Sequence, residues 1–214
     1  MKVIDPKILL RMYTRGFFPM ASSYTSDEVE FYKPHQRFLI PISKFHIPRK
    51  LFKEFKKKKY VFKINNDFES VILNCSKERN QNTWINHLII NTYLKMHKLG
   101  YAHSIECWDE KKLIGGLYGI HIKSCFFGES MFSKISNTSK YCLLFLISIL
   151  IKNDFNILDS QFYNPHLIQF GAYEISDIQY QKKLKNALLK KRFFQKKINY
   201  SESISILQDL TQTS

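Results

Sequence analysis

The order of hydrophobic patterns along the chain predicts an α+β protein with a mostly antiparallel sheet and flanking helices. Residues 103–108 alternate from one face to the other, and residues 113–122 and 124–127 follow as two more strands after tight turns. Residues 84–99 and 137–151 instead show the helical spacing of apolar side chains. We expect the three strands to form a meander with helices packed on its faces.

The first part of the chain predicts a small unit of its own. Residues 6–15 have the spacing of a short helix, with Ile8, Leu9 and Met12 on one face. A polar segment, residues 22–30, and two prolines then separate this helix from the rest of the chain. We therefore predict a small N-terminal domain over residues 1–36 and a larger domain over residues 37–214.

The charge balance predicts a polyanionic partner. The chain of 214 residues carries 33 Lys and Arg but only 18 Asp and Glu, a net charge of +15. Such an excess favours binding to nucleic acid or to an anionic membrane surface, although a biased base composition would also enrich Lys, Asn and Ile. The longest apolar run, residues 141–151, is about half of the roughly 20 residues that a membrane-spanning helix needs. We therefore expect nucleic acid as the partner and no membrane.

A basic segment gives this prediction a location. Residues 44–63 contain nine Lys or Arg and one acid, Glu54. Apolar side chains at helical spacing predict an amphipathic helix that begins after Pro48. Its exposed face would carry Arg49, Lys53, Lys56 and Lys57. Like charges at this spacing repel one another, so we expect phosphates to compensate them; the alternative is an ordinary solvated face.

The cysteines and the common enzyme motifs argue against several classes of protein. The four cysteines form no CxxC pair, no histidine stands at zinc-ligand spacing from them, and we expect no metal and no cofactor. The chain begins without the apolar core of a signal peptide, which favours a cytoplasmic protein with reduced thiols. No nucleophile elbow, phosphate-binding loop, dinucleotide fingerprint or HExxH zinc motif is present.

Polar side chains gather at three places in or after predicted strands: residues 103–106, 128–130 and 159–161. An isolated acid at a strand end usually serves a turn or a helix cap. Three clusters in a chain poor in acids suggest instead that they converge at one crevice. From the residues alone, we select Glu129, Asp159 and Gln161 as the candidates for chemistry.

Three glycines, Gly115, Gly116 and Gly119, lie inside the predicted strand 113–122. Glycine weakens a strand unless a bulge or a close backbone approach requires it. We therefore expect either a bulge or a ligand that lies against this strand.

Several short motifs together resemble one family, the leucyl/phenylalanyl-tRNA–protein transferases. The matching segments follow the family's order and cover nearly the whole chain. They are Tyr13–Pro19, Thr83–Ile85, Gly100–Trp108, Leu113–Gly119, Phe127–Ser133, Ser139–Lys140, Leu158–Gln161, and His166–Leu167 followed by Gly171–Ala172.

The resemblance implies a small N-terminal domain followed by a domain like the acetyltransferase (GNAT) fold. Residues 136–139 stand where a CoA-using acetyltransferase has its glycine-rich loop, which fits an acyl donor held by nucleic acid. The family's donors are Leu-tRNA and Phe-tRNA, and its acceptors are proteins with N-terminal Arg or Lys. The added residue marks the acceptor for degradation through the N-degron route. We expect a monomer.

The resemblance also assigns catalytic roles. Asp159 would orient and polarise Gln161, which would lie against the attacking amine, and Glu129 would contact an amine at the same site. Because an amide is a very poor base, orientation is the firmer part of this assignment, and the route of the proton stays open.

The family's pocket positions map onto Leu117, Phe126, Met131 and Leu158, although ordinary core packing is the alternative for these four. Such a pocket would accept Leu or Phe, reject the β-branched Ile and Val, and could accept Met.

Trp84 maps to a position near the 3′-terminal adenosine, where it could stack. Arg49, Lys53, Lys56 and Lys57 map to positions that bind the acceptor stem through its backbone.

Two departures and two alternatives accompany this assignment. Ser160 stands where the family commonly has Cys, which argues against a thiol nucleophile, and Met20 stands where it often has Trp. One alternative is another tRNA-dependent transferase on the same fold, such as an enzyme of peptide-bridge synthesis, although those chains are usually larger. The other is a basic RNA-binding protein without catalysis, which would not need Asp159 and Gln161.

Overall fold

The computed structural model describes residues 2–26, 28–57, 59–78, 83–194 and 197–212. Within these ranges the helices are α1 (Pro6–Tyr13), α2 (Arg49–Phe55), α3 (Phe68–Glu78), α4 (His87–Lys98), α5 (Thr138–Lys152), α6 (Pro165–Ile168), α7 (Asp177–Leu188) and α8 (Tyr200–Gln212). The strands are β1 (Phe18–Ala21), β2 (Val29–Tyr32), β3 (Gln36–Ile40), β4 (Val61–Ile64), β5 (Ala102–Asp109), β6 (Lys112–Ile122), β7 (Cys125–Ser133), β8 (Ile157–Gln161) and β9 (Tyr173–Ser176).

The described strands form one large sheet and one small one. The large sheet has the order β4-β5-β6-β7-β8-β3-β9, and β1 pairs with β2 in a separate antiparallel ribbon. Strands β5, β6 and β7 form the antiparallel meander that the sequence predicts. Strands β7 and β8 run parallel, and α5 supplies the crossover that a parallel pair requires. The sheet is therefore mixed, with a parallel step that the strand patterns did not reveal.

Helices cover both faces of the large sheet, because strand side chains alternate between two apolar layers. On β7, Phe126 points into one layer and Phe127 into the other. The first layer contains the buried faces of α2, α5 and α8, and the second contains those of α1, α3, α4 and α7. Helix α5, which holds the longest apolar run, is almost entirely buried. Among the described residues, no helix is both long and apolar enough to cross a membrane.

Helix α2 begins after Pro48, as the sequence predicts. Leu51, Phe52 and Phe55 are buried against the body of the protein. The predicted basic side chains, Arg49, Lys53, Lys56 and Lys57, are all exposed.

Helix α1 buries only part of the predicted apolar face: Leu9 is buried, Met12 is half-buried and Ile8 is exposed. Leu9 and Tyr13, one helical turn apart, are fully buried. The prediction was therefore confirmed for Leu9 and wrong for Ile8, because the buried stripe continues from Leu9 to Tyr13, a tyrosine that the predicted face did not include. The predicted domain boundary falls at the first residues of β3, which lies between β8 and β9 in the large sheet.

Candidate active site

A β-bulge in β7 sets the geometry of the site. Gly128 lies opposite Gly119 and Ser130 lies opposite Tyr118, so the intervening Glu129 has no partner on β6. A Cβ atom on Gly119 would lie 2.3 Å from the carbonyl oxygen of Phe127. Of the two explanations for glycine in this strand, the bulge with close packing therefore accounts for Gly119. The strand continues to Ser133, beyond the predicted end at residue 127.

The Glu129 carboxylate is buried and receives three side-chain hydrogen bonds. The Tyr13 hydroxyl donates to Oε1 at 2.6 Å, the Tyr93 hydroxyl donates to Oε2 at 2.8 Å, and Nε2 of Gln161 donates to Oε1 at 3.0 Å. The two tyrosine hydroxyls also contact each other. Burial raises the pKa of both tyrosines well above the usual value, so both hydroxyls keep their protons and act as donors.

Burial also raises the pKa of Glu129, to about 7, although the hydrogen bonds from Tyr13, Tyr93 and Gln161 work in the opposite direction. Near neutral pH both protonation states of Glu129 are therefore populated. Such a carboxyl can either hold a cationic amine or exchange a proton with it.

Asp159 lies in a fully buried ion pair. Nε of Arg37 donates to both carboxylate oxygens at 2.9 and 3.0 Å, and Nη2 donates to Oδ2 at 2.8 Å. The Tyr180 hydroxyl donates to Oδ2 at 2.5 Å. Burial lowers the pKa of Arg37, but the charge and hydrogen bonding of Asp159, together with Tyr180 and Tyr13, outweigh it and raise that pKa above its usual value. The arrangement is a rigid support more than a reactive group, because several donors already occupy the carboxylate.

Gln161 ends β8 in a left-handed backbone conformation, with φ of 69°. Its main-chain N–H donates to Oδ1 of Asp159 at 2.9 Å, while its side-chain amide bonds to Glu129. The family resemblance implied that Asp159 would orient and polarise Gln161. The contact instead runs through the main chain, so Asp159 can hold the residue without acting on the amide group.

These side chains border a cavity of about 330 Å³. Its walls combine polar side chains with an apolar surface. Three of the four predicted pocket residues line it, Leu117, Met131 and Leu158, and so does Trp84. The predicted residue Phe126 does not; it is buried in the core, with its ring 5.5 Å from that of Phe194. The other lining residues are Met20, Ile40, Tyr118, Gly128, Glu129, Ser130, Leu143, Leu146, Asp159, Ser160, Gln161, Phe162, Tyr163, Asn164, Pro165 and Leu167.

Two of the three predicted polar clusters meet at this cavity, and the third does not. Glu106, from the cluster 103–106, accepts hydrogen bonds from the main-chain N–H groups of Asn66 and Asp67 at 2.8 Å. It also accepts from Nε1 of Trp108 at 2.9 Å. Glu106 therefore anchors the turn between β4 and α3 and has a structural role.

The basic side chains of α2 lie away from the cavity. Arg49, Lys53 and Lys56 border a separate groove of about 560 Å³. Lys57 forms an exposed ion pair with Glu54 at 2.9 Å. The part of the chain that the structure describes therefore places the candidate chemistry and the basic surface on different elements.

Sequence reasoning missed four residues that support the site: Tyr13, Tyr93, Arg37 and Tyr180. One available signal was Arg37, which directly precedes the apolar residues 38–40; an arginine buried with such a strand needs an acidic partner. Nothing local indicated which acid this was, because Asp159 lies 122 residues away.

Comparisons with known proteins agree with the motifs. The family model described as leucyl/phenylalanyl-tRNA protein transferase matches residues 39–185. A curated relative from Zymomonas mobilis, a leucyl/phenylalanyl-tRNA–protein transferase, is 44% identical over 87% of this chain and 70% of its own length. One of the same name from Maricaulis maris is 40% identical over 96% of each chain.

Among solved structures, L-PGS from Bacillus licheniformis shows a weak likeness. It is 9% identical, with a TM-score of 0.41 over 96% of this chain and 70% of that one. The family assignment therefore depends on sequence comparisons and not on this structure. On their evidence, and on the family model that matches most of its length, this chain belongs to the leucyl/phenylalanyl-tRNA–protein transferase family.

Proposed function

We propose that this protein transfers a leucyl or phenylalanyl group, or less readily a methionyl group, from aminoacyl-tRNA to proteins. The acceptor is the α-amino group of a protein that begins with Arg or Lys, and the product is marked for degradation through the N-degron route. The single observation that carries this proposal is the contact between Glu129 and Gln161 at the wall of a cavity that is partly apolar. We expect the protein to act as a monomer in the cytoplasm. The transfer would take place in a GNAT-like domain that follows residue 36.

The reaction is the aminolysis of an ester. The acceptor nitrogen attacks the carbonyl carbon of the aminoacyl group, the bond from that carbon to the ribose oxygen breaks, and a peptide bond forms. The attacking amine loses one proton overall, and the departing ribose oxygen gains one. The amine must be neutral when it attacks, so a nearby group has to accept its proton.

Glu129 is the best candidate for that proton acceptor. Its pKa of about 7 lets it lose and regain a proton near neutral pH. Gln161 would position Glu129 and the amine, since an amide is a very poor base. Asp159, held by Arg37 and Tyr180, would fix the main chain of Gln161.

The apolar part of the cavity would select the transferred residue. Leu117, Met131 and Leu158 offer a surface that suits an unbranched Cβ followed by a bulky group. A pocket of this kind distinguishes side chains that differ by one methylene by only about 1–3 kcal/mol. This weak discrimination is why we expect Met as a weaker donor beside Leu and Phe, whereas the branch at Cβ should make Ile a poor donor.

Residues other than those of the apolar pocket would hold the donor tRNA. Trp84, at the cavity wall, would stack against the terminal adenosine. The exposed side chains of Arg49 and Lys53 on α2, and of Lys56 and Lys57 directly after it, would contact the phosphates of the acceptor stem, which requires no particular base sequence.

A transfer assay tests the proposal directly. Purified protein is incubated with tRNA charged with labelled Leu, and with peptides that differ only in the first residue: Arg, Lys or Ala. We expect label on the Arg and Lys peptides alone, and none on an Arg peptide whose α-amine is acetylated. Equal labelling of the Ala peptide would reject the acceptor assignment, and no labelling of any peptide would reject the proposed activity. A parallel reaction with Ile-tRNA tests the donor preference.

A further inference from the structure

The Ser130 hydroxyl is buried at the cavity and lacks a hydrogen-bond partner among the described residues. Ser130 is 8% exposed and lines the cavity beside Glu129. Within the described residues, its Oγ atom has no hydrogen-bond partner. Buried hydroxyls nearly always have a partner, because an unsatisfied one loses its bonds to water without replacement. A ligand in the cavity would supply the missing partner.

The bulge explains why this hydroxyl is at the cavity. In a regular strand, neighbouring side chains point to opposite faces of the sheet. Because Glu129 is the extra residue of the bulge, Glu129 and Ser130 both line the cavity. The same distortion that brings the carboxylate to the site therefore also brings a hydroxyl to it.

The polar groups around Glu129 and Asp159 are already engaged with one another. Tyr13 and Tyr93 donate to Glu129, and Nε2 of Gln161 also donates to it. The Asp159 carboxylate accepts from Arg37, Tyr180 and the Gln161 main chain.

Ser130 thus offers a donor that is not already bound. Aminolysis of an ester needs such a donor, because the carbonyl oxygen becomes negatively charged when the amine attacks. A donor fixed in a buried site stabilises that charge more strongly than water does.

We propose that the Ser130 hydroxyl donates a hydrogen bond to the carbonyl oxygen of the aminoacyl ester and stabilises it as the amine attacks. This inference rests on the proposed transfer activity. Ser130 forms no covalent bond and keeps its proton. The amine forms the new bond to the carbonyl carbon, and the ribose oxygen leaves.

The test separates this role from a structural one. Wild-type protein, Ser130→Ala, Ser130→Thr and Ser124→Ala are compared in three measurements: the single-turnover transfer rate at saturating Leu-tRNA, the dissociation constant of Leu-tRNA, and the midpoint of thermal unfolding. Ser124 is a matched control, because it is also buried but its hydroxyl donates to the carbonyl oxygen of Ala187 at 2.7 Å.

For Ser130→Ala we expect the transfer rate to fall by about 100-fold or more, the loss typical of a removed oxyanion donor. The dissociation constant should stay within about twofold, and the unfolding midpoint should not fall, since the alanine leaves no unsatisfied hydroxyl. Ser130→Thr, which keeps a hydroxyl, should recover part of the rate. Ser124→Ala should lower the unfolding midpoint and leave the rate of the folded protein unchanged.

Several results would overturn the inference. An unchanged transfer rate in Ser130→Ala would do so. A loss of rate that is accompanied by a lower unfolding midpoint, or by failure to fold, would also do so, because it would show a structural role. A loss confined to Leu-tRNA binding would place the hydroxyl on the ribose or the amine instead of the carbonyl oxygen. The wild-type assay distinguishes these results from failure of the proposed function: if wild-type protein transfers no leucine, the activity itself is rejected.

Discussion

Asp159 accepts a hydrogen bond from the main-chain N–H of Gln161 at 2.9 Å, while the side chain of Gln161 reaches Glu129. Gln161 is therefore held at two points, by its backbone and by its amide. Its left-handed backbone, with φ of 69°, is unfavourable by about 1–3 kcal/mol for a residue other than glycine. The bond to Asp159 helps to hold this conformation and so fixes where the amide points. The buried ion pair with Arg37 holds Asp159 in place and so supports Gln161 indirectly.

The first prediction concerns that pair. Arg37→Met should lower the free energy of unfolding by about 3–5 kcal/mol, because it leaves the charge of Asp159 buried without its partner. Urea denaturation measures the effect. The control is Lys33→Met, which removes a partly exposed ion pair with Asp177 and should cost less than about 1 kcal/mol. If both variants lose the same free energy of unfolding, the buried ion pair contributes no more to stability than the partly exposed one.

The second prediction concerns how stability depends on pH. Burial raises the pKa of Glu129 from 4.5 to about 7, so the folded protein binds this proton more tightly than the unfolded chain does. The stability that the proton contributes is complete below pH 4.5 and is lost as the pH rises to about 7. The loss corresponds to about 3 kcal/mol.

Glu129→Gln does not titrate and should lack this loss. Between pH 4.5 and 8, the free energy of unfolding of the variant should therefore gain about 3 kcal/mol relative to that of the wild-type protein. Urea denaturation at a series of pH values gives this difference. The contributions of the other titrating groups are the same in both proteins and cancel. A difference that does not change with pH would contradict the buried, high-pKa carboxyl.

The third prediction uses Tyr93, whose hydroxyl lies 2.8 Å from Glu129. That hydrogen bond lowers the pKa of Glu129, so Tyr93→Phe should raise it above about 7. If Glu129 accepts the proton of the amine, the pH of half-maximal transfer should move upward in this variant. The control is Tyr32→Phe, since Tyr32 bonds to Glu30 on the surface. A pH profile that is the same in Tyr93→Phe and wild-type protein would argue against Glu129 as the proton acceptor.

The fourth prediction concerns the basic face of α2. Changing Lys53, Lys56 and Lys57 to Ala should weaken tRNA binding, and it should reduce the salt dependence of binding by about one in slope for each phosphate that the variant no longer neutralises. Binding assays over a range of salt concentrations measure that slope. Lys57 already pairs with Glu54 at 2.9 Å, so we expect Lys53 and Lys56 to contribute most of the change.

A triple variant on α7 provides the matched control. Lys182, Lys183 and Lys185 are exposed, and their helix packs on the opposite face of the sheet from α2. Changing them to Ala removes the same charge and should leave the salt slope nearly unchanged. If the two triple variants behave alike, net charge alone explains the binding, and α2 is not a specific contact surface.

The sequence alone predicted the features that depend on near neighbours in the chain. The buried and exposed sides of α2 follow from apolar side chains at helical spacing. The meander of β5, β6 and β7 follows from alternation and short turns. The short motifs along the chain, including those around Glu129, Asp159 and Gln161, together identified the family. Local periodicity and short motifs are written in consecutive residues, so one sequence can reveal them.

Only the tertiary structure decided how these residues work together. It pairs Asp159 with Arg37, 122 residues away, and brings Tyr13 and Tyr93 to Glu129 from two different helices. It also places the bulge that turns both Glu129 and Ser130 toward the cavity. Such contacts depend on which distant groups must satisfy a buried charge or hydroxyl. The packing of the whole domain determines these partners, and no periodic pattern in the sequence indicates them.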